Sequence, residues 1–288
     1  MSKQPLVSVV IPCYNHEVFI QDCIQSVIDQ TYKNIELIII DDGSIDNSVN
    51  QIKEMVPACK NRFIRFEFRS RPNKGLSSTL NEALEWCQGE YYSAIASDDI
   101  MLKDKTDIQV KFLNDNKKIV AVFGGVKLID ENNREIDEII HSSKYYTFKE
   151  IIMHEHDLPA PTQMIRLASI KNVGGYDSDI LIEDWYMWIK LSKEGSLYYM
   201  SNLLSFYRQH TTNISKNLEK MHRARFDVLN AFKNSIYYRK AYRKIEWINN
   251  IENIISKKEP KILKIIRIIF LNPMRASILI LNKIKRSK

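Results

Sequence analysis

Short β-rich apolar runs alternate with helical patterns over the first 130 residues, and this alternation limits the folds open to the chain. Apolar runs at residues 7–11, 35–41, 63–68 and 91–96 predict four strands. Helical patterns at 18–30, 47–56 and 76–87 lie between them, and another follows at 103–114. Because each strand is followed by a helix, consecutive strands are expected to pair in parallel. The sequence therefore predicts an open α/β fold.

Each predicted strand leads into polar or turn residues. These loops are Pro12-Cys13-Tyr14-Asn15, Asp41-Asp42-Gly43-Ser44, Asn73-Lys74-Gly75 and Ser97-Asp98-Asp99. The carboxyl ends of parallel strands share one edge of a sheet, so the four loops should line one crevice. Alone, the Asp98-Asp99 pair fits a helix cap as well as a cation site. Convergence of the four loops favours a ligand site.

The second half of the chain is less regular. An apolar strand is predicted at residues 119–129, where Gly124-Gly125 indicates a bulge or a close backbone approach. Helices are predicted near 148–154 and at 181–193, an extended segment at 162–167, and one or two strands at 198–207. Residues 215–256 look largely helical. The expected domains are 1–215, divided at residue 130 into two halves, a helical extension at 216–256, and a tail at 257–288.

The positive charge of the chain is concentrated in the tail. The whole sequence carries a formal charge of +7, whereas residues 257–288 carry ten basic residues and one acidic residue. The rest of the chain is therefore slightly acidic, at about −2. Isoleucine and leucine alternate with lysine and arginine in the tail, which is typical of an interfacial amphipathic segment. Packing on the body and a nucleic-acid patch are the alternatives, but Phe270 is the tail's one aromatic residue for base stacking.

The expected compartment is the cytoplasm, at the inner face of the membrane. The four cysteines show neither CxxC spacing nor clustering with histidine, which argues against structural zinc and a secreted disulfide scaffold. The first residues lack the apolar core of a signal peptide, and no uncharged stretch of about 18 residues spans a bilayer. A dinucleotide fold is disfavoured because the first loop contains Pro12 and lacks GxGxxG.

Four ordered motifs resemble the family-2 glycosyltransferases. The resemblance covers roughly residues 5–215 and rests on these segments: residues 8–15 (SVVIPCYN), residues 40–44 (IDDGS), Asn73-Lys74-Gly75, and Gly89-Glu90-Tyr91 leading to Asp98-Asp99. It implies a GT-A fold, with a mixed sheet flanked by helices and a helical C-terminal extension. It also implies inverting, metal-dependent transfer from a nucleotide-sugar donor, with residues 1–130 as the nucleotide-sugar-binding half and residues 131–215 as the acceptor half.

The resemblance assigns donor-site roles to residues of these motifs. Pro12, Tyr14 and Asp42 would surround the base and ribose, Asp99 would coordinate Mn²⁺ or Mg²⁺, and Asp98 would contact ribose or the metal. Many relatives carry Arg-Asn in the helix after the Asn-x-Gly turn, whereas this chain has Leu80 before Asn81. Lys74 is a candidate replacement for that arginine, although a solvated loop cation is equally expected there.

Two further motifs of the second half match the same family. Glu183-Asp184 follows a glycine-containing loop and opens a helix, so Asp184 would be the catalytic base and Glu183 an acceptor-orienting group. Tyr207-Arg208-Gln209-His210 resembles the family's Tyr-Arg-x-His ending, which places Arg208 at the donor and His210 at the metal. An imidazole ligand suits Mn²⁺ better than Mg²⁺.

The predicted function is transfer of a sugar, from a UDP-hexose in the favoured version, to a hydroxyl of a growing glycan. A polyprenyl-diphosphate-linked acceptor in O-antigen or capsule synthesis fits the family type and the tail's expected attraction to anionic lipids. No nucleic-acid partner is expected. The competing hypothesis is a non-catalytic protein that binds membranes or nucleic acid through the tail. Such a protein is not expected to keep Asp42, Asp99 and Asp184 together, and all three are present.

Overall fold

The computed structural model describes residues 4–210 and 217–256, and beyond them residues 260, 263 and 266. The predicted tail at 257–288 therefore lies almost wholly outside the described residues, as does the start of the predicted helical extension. Contacts divide the chain into two compact units. Residues 1–151 and 155–213 form the first unit, and residues 152–154 and 214–288 form the second.

The first unit alternates strands and helices as the apolar pattern predicts. Its strands are β1 (Val7–Cys13), β2 (Ile35–Asp41), β3 (Arg65–Ser70), β4 (Tyr91–Ala94), β5 (Ile100–Met101), β6 (Ile119–Ile129), β7 (Glu135–Ile139), β8 (Lys144–Tyr146), β9 (Met164–Arg166) and β10 (Ser196–Arg208). Its helices are α1 (Ile20–Ile28), α2 (Ser48–Arg62), α3 (Leu76–Trp86), α4 (Lys105–Asp115), α5 (Phe148–Ile152), α6 (Leu167–Asn172) and α7 (Glu183–Glu194), and a short 3-10 helix covers Ala160–Thr162.

A mixed sheet runs through the first unit in the order β3-β2-β1-β4-β9-β6-β10-β5. The strands β3, β2, β1 and β4 pair in parallel, which confirms the prediction from their sequence order. The short β9 is antiparallel to both of its neighbours, so β6 runs in the same direction as β4. The strand β7 pairs with β6, and β8 with β10.

The long strands β6 and β10 form the second half of the sheet. They pair in parallel from Ser196 to Arg208, with register shifts around Leu203. A side chain on Gly124 would place its Cβ 2.6 Å from the carbonyl oxygen of Asn202, so the backbones approach each other closely there. Both features that the glycine pair indicated, an irregular register and a close approach, are confirmed.

The core lies between the parallel strands and their helices. The buried cluster includes Val9 and Ile11 of β1, Leu37 and Ile39 of β2, and Ile24 of α1. In β1 and β2 nearly every residue is buried, as expected of strands covered on both faces. This packing holds the carboxyl ends of four strands at one edge, where the polar loops begin.

The second unit contains two described helices, α8 (Leu218–Asn230) and α9 (Tyr238–Ser256). Asn217 caps α8 by accepting a hydrogen bond from the backbone N–H of Lys220 at 3.1 Å. The carboxylate of Glu252 on α9 accepts hydrogen bonds from Arg225 on α8 and lies 2.8 Å from Nε2 of His222. Among the described residues, no helix has both the length and the apolar character needed to cross a bilayer.

Candidate active site

The loops after β1 and β2 are tied together at the carboxyl edge of the sheet. Asn15 adopts a left-handed conformation with φ of 54°, and its backbone N–H donates to Oγ of Ser44 at 2.9 Å. In return, its side-chain oxygen accepts from the backbone N–H of Ile45 at 2.9 Å. Tyr14, beside this junction, is 47% exposed, and Pro12 is half-buried. The structure therefore presents an aromatic ring to solvent at the edge where a nucleoside is expected.

Asp42 joins the second loop to the third. Its carboxylate accepts from the backbone N–H groups of Lys74 at 2.8 Å and Gly75 at 2.9 Å, and it forms an ion pair with Arg71. Gly43 follows with φ of +78°, and a Cβ there would lie 2.6 Å from the backbone nitrogen of Asn73. The predicted donor residue Lys74 contacts Asp42 through its main chain, whereas its side chain is exposed.

Asp98 lies in a group of three side chains that could hold a divalent cation. One ligand atom each from His16, Asp98 and His210 lie within 4.8 Å of one another. Nε2 of His210 is 2.8 Å from Oδ2 of Asp98, and Nδ1 of His16 is 3.9 Å from Oδ1. Asp98 and His210 are buried, and His16 is half-buried. Two imidazole nitrogens and a carboxylate oxygen are suitable ligands for a transition-metal dication, so these three residues fit the divalent cation that the family resemblance predicted.

Asp99 lies apart from that group of donors. It is 2% exposed, and its Oδ1 accepts a hydrogen bond from the backbone N–H of Arg208 at 2.9 Å. Burial, and then the neighbouring charge of Asp98, raise the pKa of Asp99 well above its ordinary value. The metal role predicted for Asp99 stays a prediction; of the two aspartates, Asp98 is the one whose carboxylate contacts His210.

Arg208 holds this corner of the sheet together from a fully buried position. Its Nε donates to the carbonyl oxygen of Asp98 at 2.7 Å, and one terminal nitrogen donates to that of Asp130 at 3.0 Å. The guanidinium therefore fixes the turn that carries the aspartate pair. A direct contact of Arg208 with the donor stays a prediction.

Glu183 and Asp184 open α7 at its N-terminus, where the helix dipole favours negative charge. Trp185, Trp188 and Ile189 of the same helix are buried and anchor it. Burial raises the pKa of Asp184 above its ordinary value. Burial, and then the charge of Asp184, raise the pKa of Glu183 to about 8. The pKa of each carboxyl group therefore lies above its ordinary value, and the charge of Asp184 contributes to the rise at Glu183.

The loop before α7 is held by Asn81 of α3, a role that the sequence did not reveal. The side chain of Asn81 donates to the carbonyl oxygen of Tyr176 and accepts from its backbone N–H, both at 2.8 Å. The hydroxyl of Tyr176 lies 3.4 Å from that of Tyr92 on β4. The nearby charges of Glu183 and Asp184 add to burial in raising the pKa of Tyr176. The carboxylate pair thus lies near a tyrosine that contacts the central sheet.

Residues 8–174 match the model of the family described as glycosyl transferase family 2. This chain belongs to glycosyl transferase family 2. The match includes the four loops, Asp98 and Asn81, and it confirms the family that the motifs indicated.

Three glycosyltransferases of other organisms are similar to about three quarters of this chain. An uncharacterized glycosyltransferase of Haemophilus influenzae is 30% identical over 219 residues, which are 75% of this chain and 84% of that protein. TuaG of Bacillus subtilis, a putative teichuronic acid biosynthesis glycosyltransferase, is 28% identical over 225 residues, covering 74% of this chain and 83% of TuaG. An uncharacterized glycosyltransferase of Rickettsia bellii is 30% identical over 223 residues, 74% of this chain, but the match spans only 31% of that protein.

Solved structures of similar fold confirm the GT-A architecture. S. aureus TarS 1-349 in complex with UDP has a TM-score of 0.61 at 19% identity, over 93% of this chain and 71% of that one. The mannosyltransferase PcManGT of Pyrobaculum calidifontis, in complex with GDP-Man and Mn²⁺, has a TM-score of 0.64 at 12% identity. The match covers 95% of this chain and 83% of PcManGT. At such identities the likeness shows the fold.

The sequence-predicted site residues of the family-2 enzyme fall into three places. Pro12 lies near the end of β1, and Tyr14, Asp42 and the backbone of Lys74 lie in the loops after β1, β2 and β3. Asp98 and His210 are in direct contact. Glu183 and Asp184 begin α7. His16 was missed as a site residue, although its position one residue after Asn15, on the same edge of the sheet, was the available signal.

Proposed function

We propose that this glycosyltransferase transfers a hexose from a nucleoside diphosphate sugar, UDP-hexose in the first instance, to a hydroxyl of a growing glycan with inversion at C1. The observation that carries the proposal is the group of Asp98, His210 and His16 at the edge of the sheet where the loops after the parallel strands converge. A nucleoside diphosphate needs such a group beside its phosphates, because its negative charge must be neutralised.

The loops after β1 and β2 would bind the nucleoside. Tyr14 offers an exposed ring for stacking on a base, and Pro12 shapes the loop beneath it. Asp42 keeps the second and third loops together through its contacts with Arg71, Lys74 and Gly75. The UDP and UDP-GlcNAc complexes of TarS and the GDP-Man complex of PcManGT support a nucleotide-sugar donor of this kind.

Asp98 and His210 would hold a divalent cation at the diphosphate. Bound there, Mn²⁺ or Mg²⁺ neutralises the charge that develops on the leaving nucleoside diphosphate. Arg208 fixes the backbone of Asp98, so the carboxylate is oriented before any ligand arrives. The Mn²⁺ in the PcManGT complex supports metal use.

Asp184 would act as the general base. It accepts the proton of the acceptor hydroxyl while that oxygen attacks C1 of the sugar, and the bond from C1 to the nucleotide's phosphate oxygen breaks on the opposite face. Glu183 would keep its proton, since burial and then the charge of Asp184 raise its pKa to about 8, and would donate a hydrogen bond that orients the acceptor. The two neighbouring carboxyl groups would thus have different roles because one keeps its proton.

The acceptor we propose is a lipid-linked glycan of a bacterial surface polysaccharide, such as O-antigen or capsule. The similarity to TuaG, named as a putative teichuronic acid biosynthesis glycosyltransferase, supports a role in polysaccharide synthesis. The ten basic residues after residue 256 support attachment to an anionic membrane surface, where a polyprenyl diphosphate carrier is found. The working place of the enzyme would be the inner face of the cell membrane.

The test measures release of the nucleoside diphosphate from a panel of nucleotide sugars, with Mn²⁺ and a lipid-linked acceptor analogue. Asp184→Asn should lower turnover by about 10²- to 10⁴-fold, the usual contribution of a general base, and leave UDP binding by calorimetry unchanged. Asp98→Asn should weaken UDP binding in the presence of Mn²⁺. Asp179→Asn, an exposed aspartate in the loop before α7, is the matched control and should keep full activity. Wild-type turnover in both Asp98→Asn and Asp184→Asn would rule out the mechanism.

A further inference from the structure

The three side chains of the cation group come from three separate segments of the first unit. His16 lies in the loop after β1, Asp98 in the turn after β4, and His210 just beyond the end of β10. Two of the three donor atoms are nitrogens. Mg²⁺ prefers oxygen ligands, whereas imidazole is a common ligand of first-row transition metals. Two nitrogen donors and one oxygen donor therefore favour a first-row transition metal over Mg²⁺.

His16 is positioned by contacts that leave Nδ1 directed at the group. Its backbone N–H donates to Oγ of Ser48 at 2.9 Å, which fixes the main chain independently of the side chain. Its Nδ1 is 2.7 Å from Oγ of Ser97 and 3.9 Å from Oδ1 of Asp98. Its ring meets the ring of His210 edge-on, with 5.8 Å between the centroids. Both rings thus flank the same carboxylate.

We propose that His16 is a metal ligand and that it makes the donor site select Mn²⁺ or Co²⁺ over Mg²⁺. The inference rests on the proposed function, since the cation is the one that accompanies the nucleoside diphosphate. With His16 included, the protein supplies two neutral imidazoles and one carboxylate. Without it, one imidazole and one carboxylate remain, and the advantage of a transition metal over Mg²⁺ is smaller.

Ser97 contacts the same ring nitrogen that would bind the cation. Its hydroxyl lies 2.7 Å from Nδ1 of His16, and an imidazole nitrogen has a single lone pair, so this hydrogen bond would be released when Nδ1 binds a cation. Replacing Ser97 should therefore leave metal binding at least as strong as in the wild type, whereas replacing His16 removes the ligand atom itself.

A different role for His16 is a direct contact between its protonated ring and the diphosphate. The two roles give different results when metal binding is measured without nucleotide. A metal ligand changes the affinity for Mn²⁺ alone. A cation that binds the diphosphate changes the affinity for UDP and leaves Mn²⁺ binding as it was.

The experiment titrates Mn²⁺ into the full-length protein, alone and with UDP, and follows free Mn²⁺ by electron paramagnetic resonance. Pulsed resonance then counts the imidazole nitrogens coupled to bound Mn²⁺, and Mg²⁺ competition gives the selectivity. The variants are His16→Ala, His16→Asp, Ser97→Ala and His210→Ala. His141→Ala, a half-exposed histidine outside the group, is the matched control. Thermal melting checks that each variant is folded.

We expect two imidazole nitrogens coupled to Mn²⁺ in the wild type and one in His16→Ala. The Mn²⁺ affinity of His16→Ala should be about 10- to 100-fold lower or more, because loss of an outer-sphere partner alone causes a loss of that size. His16→Asp should recover binding but lower the preference for Mn²⁺ over Mg²⁺. Wild-type Mn²⁺ affinity and two coupled nitrogens in His16→Ala would overturn the proposal. A loss confined to UDP affinity, or no Mn²⁺ binding by the wild type in either condition, would also overturn it.

The proposed function can fail separately from this inference. If no nucleotide sugar is turned over while Mn²⁺ binding still depends on His16, the donor chemistry is wrong and the ligand assignment stands. If the wild type transfers sugar and His16→Ala binds Mn²⁺ normally, the proposed function stands and the assignment of His16 as a metal ligand is wrong.

Discussion

The first prediction concerns the two carboxyl groups at the start of α7, Glu183 and Asp184. It states how the pKa of Glu183 depends on the charge of Asp184. Burial and the charge of Asp184 together raise the pKa of Glu183 to about 8. Asp184→Asn removes the neighbouring charge, so the pKa of Glu183 should fall, yet stay above its ordinary value because burial remains. Carbon-13 NMR of the glutamate carboxyl groups measures this pKa in both proteins. An unchanged pKa of Glu183 would show that the two groups are not coupled.

Lys105 provides a second prediction at the scale of a single residue. It is fully buried, and its ammonium donates to Oγ of Ser93 at 2.8 Å and to the carbonyl oxygen of Gln163 at 3.3 Å. Burial lowers its pKa to about 7. Between pH 7 and the ordinary lysine pKa, the unfolded chain binds the proton more readily, so the free energy of unfolding should rise with pH by at most about 1.4 kcal/mol per unit.

Lys105→Met tests this dependence because it keeps the side-chain length and removes the titrating group. Ser93 keeps a partner in this variant, since its hydroxyl also donates to the carbonyl of Gln163 at 2.8 Å. Urea unfolding at pH 7, 8 and 9 should show a steeper rise in the wild type than in Lys105→Met. Equal slopes would mean that Lys105 keeps its proton in the folded state.

The roles of adjacent residues were the least predictable feature of the site. The motif placed Asp98 and Asp99 at the correct edge of the sheet. Which carboxylate meets His210 depends on how the chain turns after β4, and backbone contacts with Arg208 across the sheet determine that turn. Contacts between residues this far apart in sequence produce no periodic pattern, so the sequence could not show which aspartate contacts His210.

At the scale of elements, the regular strands were predictable and the short ones were not. The predicted bounds of β2 and β6 agree with the structure, because both strands are continuous apolar runs. The two-residue β5 was missed, since its pairing with β10 is a tertiary contact of two residues. The helix α2 runs to Arg62, six residues beyond its predicted end and through Pro57, so the proline did not end it as its usual effect suggests.

The contact between α3 and the loop before α7 gives a prediction about how elements position the catalytic groups. Asn81→Ala removes both hydrogen bonds to the backbone of Tyr176. Leaving these partly buried groups unpaired should lower the free energy of unfolding by about 1–3 kcal/mol. Turnover should fall as well, because the loop leads directly to Glu183. Urea unfolding and steady-state kinetics measure the two effects.

Glu85→Ala is the control for this prediction, since Glu85 is an exposed residue of the same helix. It should change neither stability nor turnover by a comparable amount. If Asn81→Ala destabilised the protein while turnover stayed at the wild-type level, Asn81 would be a structural residue without influence on the site.

At the scale of the whole molecule, the uneven distribution of charge along the chain predicts binding to an anionic membrane surface. Residues 1–256 carry a net charge of about −2, and the ten basic residues beyond them determine the overall sign. A protein with this charge distribution should bind vesicles that contain anionic lipid and should not bind neutral vesicles. Binding should weaken as salt rises, because screening shortens the range of the attraction.

Charge-matched variants separate an effect of the tail from an effect of net charge. One variant replaces four tail residues with glutamine: Lys283, Lys285, Arg286 and Lys288. The other replaces four exposed lysines of the first unit in the same way: Lys60, Lys111, Lys117 and Lys118. Each basic residue near an anionic surface contributes about 1 kcal/mol, so the tail variant should lose up to about 4 kcal/mol of vesicle binding measured by sedimentation. The second variant should bind nearly as well as the wild type, because its charges lie outside the tail. Equal losses in the two variants would mean that net charge alone draws the protein to the membrane.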